Sequence, residues 1–235
     1  HTHLAMLKDA LTAGTQVLLE KPMAPNRQEL EQLVAEVEKH PNLLVLECSC
    51  RHARLQPKFR FIKQMIDDGK LGQVYHIHHN HLMRGTSIEY NPAGYWAHQK
   101  KFSGGGPFID WGVYDLSFHL GVLGDRPQIK SVTSFTRNGL KHFPEPNFQS
   151  DIEEHGAAFL EFDTGLTYYY ERGSGVHAEV PNETRIYGTE GSLRFSFCSW
   201  DAPEIDFFTF DRHGHETTEK LMVDMSHHTD DNFEL

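Results

Sequence analysis

Apolar residues at Leu4, Leu7 and Leu11 recur at i, i+3 and i+7, which predicts a helix capped by Thr2 and stopped by Gly14. Gln16 to Glu20 then reads as a short, fully buried strand. Asn26 with Glu29 forms a capping box, and Leu30, Leu33, Val34 and Val37 draw one helical face that ends before Pro41. Leu43 to Glu47 is a second apolar strand. Helix, strand, helix, strand over residues 1–48 is the texture of a parallel α/β sheet.

From residue 49 to 235 the pattern changes. Pro57 opens a helix with Phe59, Ile62 and Ile66 inward and Gly69 as its stop, and a long strand runs from Gln73 to Met83. An irregular stretch reaches Gly106, and a helix is expected from about Asp110 to Leu120. Strands follow, closed by tight turns at Asp163-Thr164-Gly165, Gly188-Thr189-Glu190-Gly191 and Arg212-His213-Gly214-His215. Successive hairpins predict an antiparallel sheet. The fold class is therefore α/β followed by α+β, the second part built on a large, mostly antiparallel open sheet.

Charge narrows the partners. Twenty-two Lys and Arg against 33 Asp and Glu leave a formal charge of −11. Nucleic acid and anionic membrane both want a basic face, so neither is expected. No apolar run approaches the roughly 20 residues of a membrane helix, and no signal-peptide pattern opens the chain. Cys48, Cys50 and Cys198 are too few and too irregularly spaced for a zinc cluster or disulfide framework, so reduced thiols and a cytoplasmic location are expected. The chain opens on His1 and closes on Phe233-Glu234-Leu235 without a terminal signal.

Two stretches carry candidate chemistry. Glu20-Lys21-Pro22 follows a parallel strand at its carboxyl end, the edge where open α/β sheets bind ligands. Lys21 there aims a cation into a crevice, although an ordinary strand-to-turn lysine reads the same from three residues. The second stretch runs from Gly104-Gly105-Gly106-Pro107 to Asp110-Trp111-Gly112-Val113-Tyr114-Asp115. Its glycines allow close passage of backbone past a ligand, and Asp110 and Tyr114, four apart, share a helical face. A glycine loop with Tyr114 merely packed is the plainer alternative. A phenol of ordinary pKa about 10 relays protons only beside a cation, and Lys21 is the one offered.

Other patterns count for less. Gly173-Ser174-Gly175-Val176-His177-Ala178 spells a dinucleotide loop, but Pro181 and Asn182 arrive too soon for the helix it requires. His76 and His78 should fall on one strand face, His79 and His81 on the other; a mostly solvated face is expected rather than a metal site. Asp115 and His119, four apart, read either as a helix-surface contact or as part of the crevice. Tyr95, Trp96, His98 and Lys101 precede the glycine run and are candidate substrate contacts, or else a packed aromatic loop.

Taken together, these residues resemble the Gfo/Idh/MocA family of nicotinamide-dependent oxidoreductases. His3 through Ala10-Leu11, Ala13-Gly14 and Val17 to Glu20-Lys21-Pro22 is similar to the stretch leading into the family's E-K-P signature. Ser103-Gly104-Gly105-Gly106 with Asp110, Gly112 and Asp115 resembles its glycine-rich segment and active-site helix, and Arg51 with Asp68-Gly69-Lys70-Leu71-Gly72 its domain join. The resemblance implies a Rossmann domain, here partial over 1–48, and a substrate and oligomerisation domain over 49–235. It implies NAD or NADP as cofactor, with His3, Glu20, Lys21 and Pro22 on the cofactor side, and a sugar or polyol substrate. Lys21 would polarise the reacting hydroxyl, Asp110 would orient the substrate, and Tyr114 would exchange the hydroxyl proton. Histidine is commoner at the Tyr114 position, while relatives like glucose–fructose oxidoreductase carry tyrosine. The family's G-x-G-x-x-G would precede His1, and a final helix would follow Leu235. The alternative is a non-catalytic homologue that binds a sugar or a subunit; in either case the open sheet is expected to pair with a copy of itself.

Overall fold

Two hydrophobic cores divide the chain. The computed structural model describes residues 2–48, 53–85, 94–124, 127–139, 148–196 and 203–226. Arg51, Cys50 and Cys198, named above, lie outside the described residues.

The first core is small. Helix α1 (His3–Thr12) buries Leu7 and Leu11, and strand β1 (Val17–Leu19) adds Leu19. Helix α2 (Arg27–Glu38) adds Leu33, and β2 (Val45–Glu47) pairs with β1 in parallel. The Asn26 side chain accepts from the Glu29 backbone N–H at 2.9 Å and donates to the Glu29 carboxylate at 3.0 Å, so the expected cap is present. Thr2 makes no side-chain cap. Leu30 and Val34, expected inward, are 38% and 45% exposed, because two strands are too narrow to cover the whole helical stripe.

The second core is larger. Helix α3 (Pro57–Asp67) buries Phe59, Ile62 and Met65, and Ile66 packs partly buried against the same core. Strand β3 (Val74–Met83) follows, then a 3₁₀ turn (Gly94–His98) and two one-turn helices, Lys100–Ser103 and Pro107–Asp110. Helix α4 spans Gly112–Val122, so the single helix expected from Asp110 breaks at Trp111. The remaining strands are β4 (Ile129–Arg137), β5 (His155–Phe162), β6 (Thr167–Ser174), β7 (Glu183–Gly188), β8 (Ser192–Phe195), β9 (Glu204–Phe210) and β10 (Glu216–Met222). With β3 they form an eight-stranded sheet in the order β10-β9-β8-β7-β3-β6-β5-β4. Every neighbouring pair is antiparallel except β3 with β6. The three predicted turns close β5–β6, β7–β8 and β9–β10.

Helices α3 and α4 cover one face, where Phe59 meets Phe118 edge-on at 5.5 Å. The other face is open, and there Phe135 and Phe159 are 52% and 40% exposed. His76 and His78 share this open face and pack on Tyr187 and Tyr169 at 5.6 and 4.8 Å. His79 points the opposite way and is buried against Tyr170. The alternation is as predicted, but the mostly solvated histidine face is not: His76, His78 and His79 pack on aromatic rings, and His81 is half-buried opposite Arg172. Beyond Ser174 the chain bends at Gly175 (φ 78°) and forms no helix, in keeping with the rejected dinucleotide spelling. No helix of the described residues is long and apolar enough to cross a membrane.

Candidate active site

Strand β1 ends at Leu19, and the Glu20 carboxylate accepts from the Lys21 backbone N–H at 3.2 Å. This turn sends the Lys21 side chain across to the one-turn helix before α4. Its Nζ donates to the Asp110 carbonyl at 2.7 Å and pairs closely with the Asp110 carboxylate. The same ammonium lies 5.1 Å from the centroid of the Tyr114 ring and 5.9 Å from that of Trp111, within cation–π range of both. Residues 89 apart in sequence thus meet at one point.

Glycines make the meeting possible. A Cβ on Gly104, whose φ is +85°, would sit 2.3 Å from the Pro25 carbonyl oxygen, and one on Gly106 would sit 1.9 Å from that of Glu153. A Cβ on Gly112 would be 2.9 Å from the Tyr170 hydroxyl. The run was expected to let backbone approach a ligand; its first demand is close packing between the E-K-P turn, the loop and the sheet. Gly105 and Gly106 nevertheless line the cavity beside it.

That cavity holds about 960 Å³. His3, Lys21 and Pro22 form one wall, while Asp110 and Trp111 form the floor. Trp96 and His98 close a side. Of the other sequence candidates, Glu20 does not line it, Tyr95 packs edge-on against Phe148 at 4.4 Å, and Lys101 places its ammonium over Phe102 at 4.6 Å. Tyr114 is 1% exposed, lying beneath Lys21 rather than on the cavity surface. Burial lowers the His98 pKa below its ordinary value.

The remaining wall comes from the sheet: Glu154, Arg172 and Ser174. Sequence reading did not find these. Arg172 was nonetheless visible by alternation, since it shares a strand face with Tyr168 and Tyr170 and is a charge on the core side. It is 2% exposed, and its Nε lies 3.0 Å from the fully buried Asp115 carboxylate. Tyr170 donates its hydroxyl to Asp115 at 2.9 Å, and His79 Nε2 is 3.4 Å away. Burial works against charge on Asp115, but Arg172 together with His79 and His119 outweighs it and holds the carboxyl well below the usual carboxylate range. Deeper still, His119 contacts the Tyr168 hydroxyl at 2.6 Å and Thr184 Oγ1 at 3.0 Å, while His79 Nδ1 contacts the same Oγ1 at 2.9 Å. Desolvation drives His119 well below its ordinary pKa and Tyr168 and Tyr170 well above theirs. His81, beside Arg172, is lowered to about 3 by burial and then by that charge. Asp115 and His119 are therefore the hinge between helix and sheet, and not a helix-surface contact.

A parallel α/β edge offering a lysine to a cavity, closed by a large open sheet, defines a two-part fold, a Rossmann-type segment joined to an antiparallel-sheet domain. The chain belongs to the Gfo/Idh/MocA family: residues 59–194 match the GFO/IDH/MocA C-terminal domain, and residues 1–47 match the oxidoreductase family with NAD-binding Rossmann fold. It is 26% identical over 202 residues to D-xylose 1-dehydrogenase [NADP(+)] of Haloarcula marismortui, covering 85% of this chain and 52% of that one. It is also 26% identical over 204 residues to trans-1,2-dihydrobenzene-1,2-diol dehydrogenase of Xenopus laevis, covering 86% and 55%. The fold matches a levoglucosan dehydrogenase solved with NADH and levoglucosan, with a TM-score of 0.80 and 19% identity over 96% of this chain and 59% of that one. The chain spans about half the length of the curated relatives it matches.

Proposed function

We propose that the protein is an NAD(P)-dependent dehydrogenase that moves a hydride between nicotinamide and a secondary alcohol of a sugar or polyol. The observation that carries this reading is Lys21, held on Asp110 above Tyr114 at the wall of a cavity large enough for a nicotinamide ring and a monosaccharide. The named activities of the relatives, on D-xylose, a dihydrodiol and levoglucosan, support the substrate class. His3, Lys21 and Pro22 suit the nicotinamide end, because they stand at the carboxyl edge of a parallel sheet. Bound NAD(P) supplies or accepts the hydride.

The chain's own groups handle the oxygen and its proton. The Lys21 ammonium polarises the reacting hydroxyl, and the Asp110 carboxylate orients it. Tyr114 exchanges the hydroxyl proton once substrate parts the Lys21–Asp110 contact above its ring. Lys21→Met in the full enzyme should cut turnover by at least about a thousandfold with the circular dichroism spectrum unchanged, and Tyr114→Phe by about a hundredfold. Full turnover in Lys21→Met overturns the assignment. The reading also places the domain division near residue 48, the enzyme in the cytoplasm, and its self-association on the open sheet face.

A further inference from the structure

One part of the cavity wall takes no share in the chemistry above, and it is apolar. Trp96 sits in the 3₁₀ turn before the glycine run, and its side chain is among the exposed ones, at 52%. Tyr95 and His98 on either side of it both pack against Phe148. The Trp96 side chain, by contrast, makes no hydrogen bond or ring contact among the described residues. An indole left this bare on a cavity wall is surface for a ligand to cover. The Asp151 backbone N–H donates to the His98 carbonyl at 3.2 Å, which brings the Trp96 turn alongside Ile152. Ile152 Cδ1 lies 3.1 Å from where a Gly106 Cβ would stand, and Ile109 Cγ1 lies 2.7 Å from where a Gly105 Cβ would. All five of these residues line the cavity. With no Cβ on the two glycines to interrupt it, the wall from Trp96 through Ile152 to Ile109 is one apolar strip.

Charged groups gather instead around Trp111 on the floor. Lys21 and Arg172 approach its ring at 5.9 and 5.2 Å, each with a carboxylate partner, Asp110 and Asp115. A substrate hydroxyl placed there finds donors and acceptors. One seated on Ile152 and Ile109 loses its water and gains no side-chain partner. A free monosaccharide carries a hydroxyl on almost every carbon and suits only the first of these surfaces. The cavity, at about 960 Å³, is also near the top of the range of about 300–1,000 Å³ that encloses drug-sized ligands. Resting on the dehydrogenase reading, we propose that the Trp96–Ile152–Ile109 strip is an aglycone subsite and that the substrate is an aryl glycoside. Its aromatic ring stacks on Trp96 while a sugar hydroxyl meets Lys21 and Asp110. An aryl group is favoured over an alkyl one because stacking on the indole adds to what burial alone contributes. Oxidation converts one ring CH–OH to a ketone, with the hydride passing to NAD(P)+, the proton leaving through Tyr114 and the glycosidic bond intact. The anomeric carbon, whose oxygen carries the aryl group, is therefore not the reacting one.

The test uses the full enzyme with NAD(P) at pH 7.5. It compares phenyl with methyl D-glucopyranosides and D-xylopyranosides, both anomers of each, and with the free sugars. The best phenyl glycoside should exceed its methyl counterpart and the free sugar at least about tenfold in kcat/KM. Trp96→Ala should narrow the phenyl-to-methyl ratio at least about fivefold, and Trp96→Phe, which keeps a ring, should hold it within about twofold. NADH affinity by fluorescence titration should not follow the ratio in Trp96→Ala; a matching loss assigns the strip to the cofactor and overturns the proposal. Phenyl and methyl glycosides turned over equally, free sugars preferred, or a ratio unmoved by Trp96→Ala overturn it as well. Calorimetric binding of the same compounds separates the two readings. If none is turned over, yet phenyl glycosides bind at least about tenfold more tightly than methyl ones and Trp96→Ala removes the difference, the dehydrogenase reading fails and the subsite stands. If free sugars are turned over and the phenyl group adds nothing to binding, the dehydrogenase reading stands and the subsite fails. If none of the compounds binds, both fail.

Discussion

Asp115 is fully buried, yet it carries more of the site's order than the exposed ion pairs do. Arg27–Glu31 on α2 is a solvent-exposed i,i+4 pair and contributes at most about 0.5 kcal/mol. Removing the charge of Asp115 leaves Arg172 buried without its partner, which costs about 3–5 kcal/mol. The pH response follows from the direction of the shifts. Asp115 is held below its ordinary value of about 3.9, so its contribution is complete above pH 4 or so and is lost as pH falls below that. His81 is held near 3 in the folded chain against about 6.5 when unfolded, so its contribution is complete above pH 6.5 and declines steadily below. The urea midpoint should be flat from pH 8 to 7 and fall at each step to pH 4. Asp115→Asn should lie about 3–5 kcal/mol below wild type at pH 7, with the gap closing only below about pH 4. A midpoint that rises on acidification contradicts this account. The sequence showed Asp115 and His119 sharing a helical face, but their partners lie 36 (His79 to Asp115) to 65 residues away, so nothing local distinguished a buried anchor from a surface pair.

At the scale of elements, periodicity located the helices well and misjudged what covers them. The α2 stripe was right in period, but two strands bury only part of it. The expected helix from Asp110 breaks at Trp111, and this separates the Asp110 turn, which meets Lys21, from α4, which grips the sheet through Asp115. The motif's glycines were legible as a demand for close approach, while the partners that impose it were not. Gly106→Ala tests which partner dominates. Its Cβ would collide with a backbone carbonyl, so a loss of about 1–3 kcal/mol is expected, together with weaker substrate binding as the loop retreats. Gly165→Ala, at φ +83° in an open hairpin turn, strains only its own backbone and should cost about 1 kcal/mol with substrate binding unchanged. Thermal melts with KM measurements distinguish the two; equal KM effects would show that loop position does not govern the cavity.

For the whole molecule, the change from parallel to antiparallel texture was readable, because hairpin turns and apolar runs are local signals. The place of β3 between β6 and β7 was not, since pairing across 91 residues leaves no local trace. The same gap hid Glu154 and Arg172, which reach the cavity only through that strand order. The open face was expected, and its exposed Phe135 and Phe159 offer an apolar patch beside the Tyr169–His78 stack. Phe135→Glu with Phe159→Glu should leave the melting temperature within a few degrees and shift sedimentation to the smaller species. A wild-type protein that sediments as a monomer removes the self-association reading.

The strand order also has a consequence in time. As the chain leaves the ribosome, Val74–Met83 emerges about ninety residues before its parallel partner, which at about 5–20 residues per second is a wait of roughly 5–20 seconds. A central strand of ordinary apolar composition left unpaired that long invites aggregation. This one carries His76, His78, His79 and His81, polar enough to stay hydrated while it waits and flat enough to stack on Tyr169, Tyr170 and Tyr187 when they arrive. Over that interval the four imidazoles leave the strand more polar than its central place in the sheet would suggest.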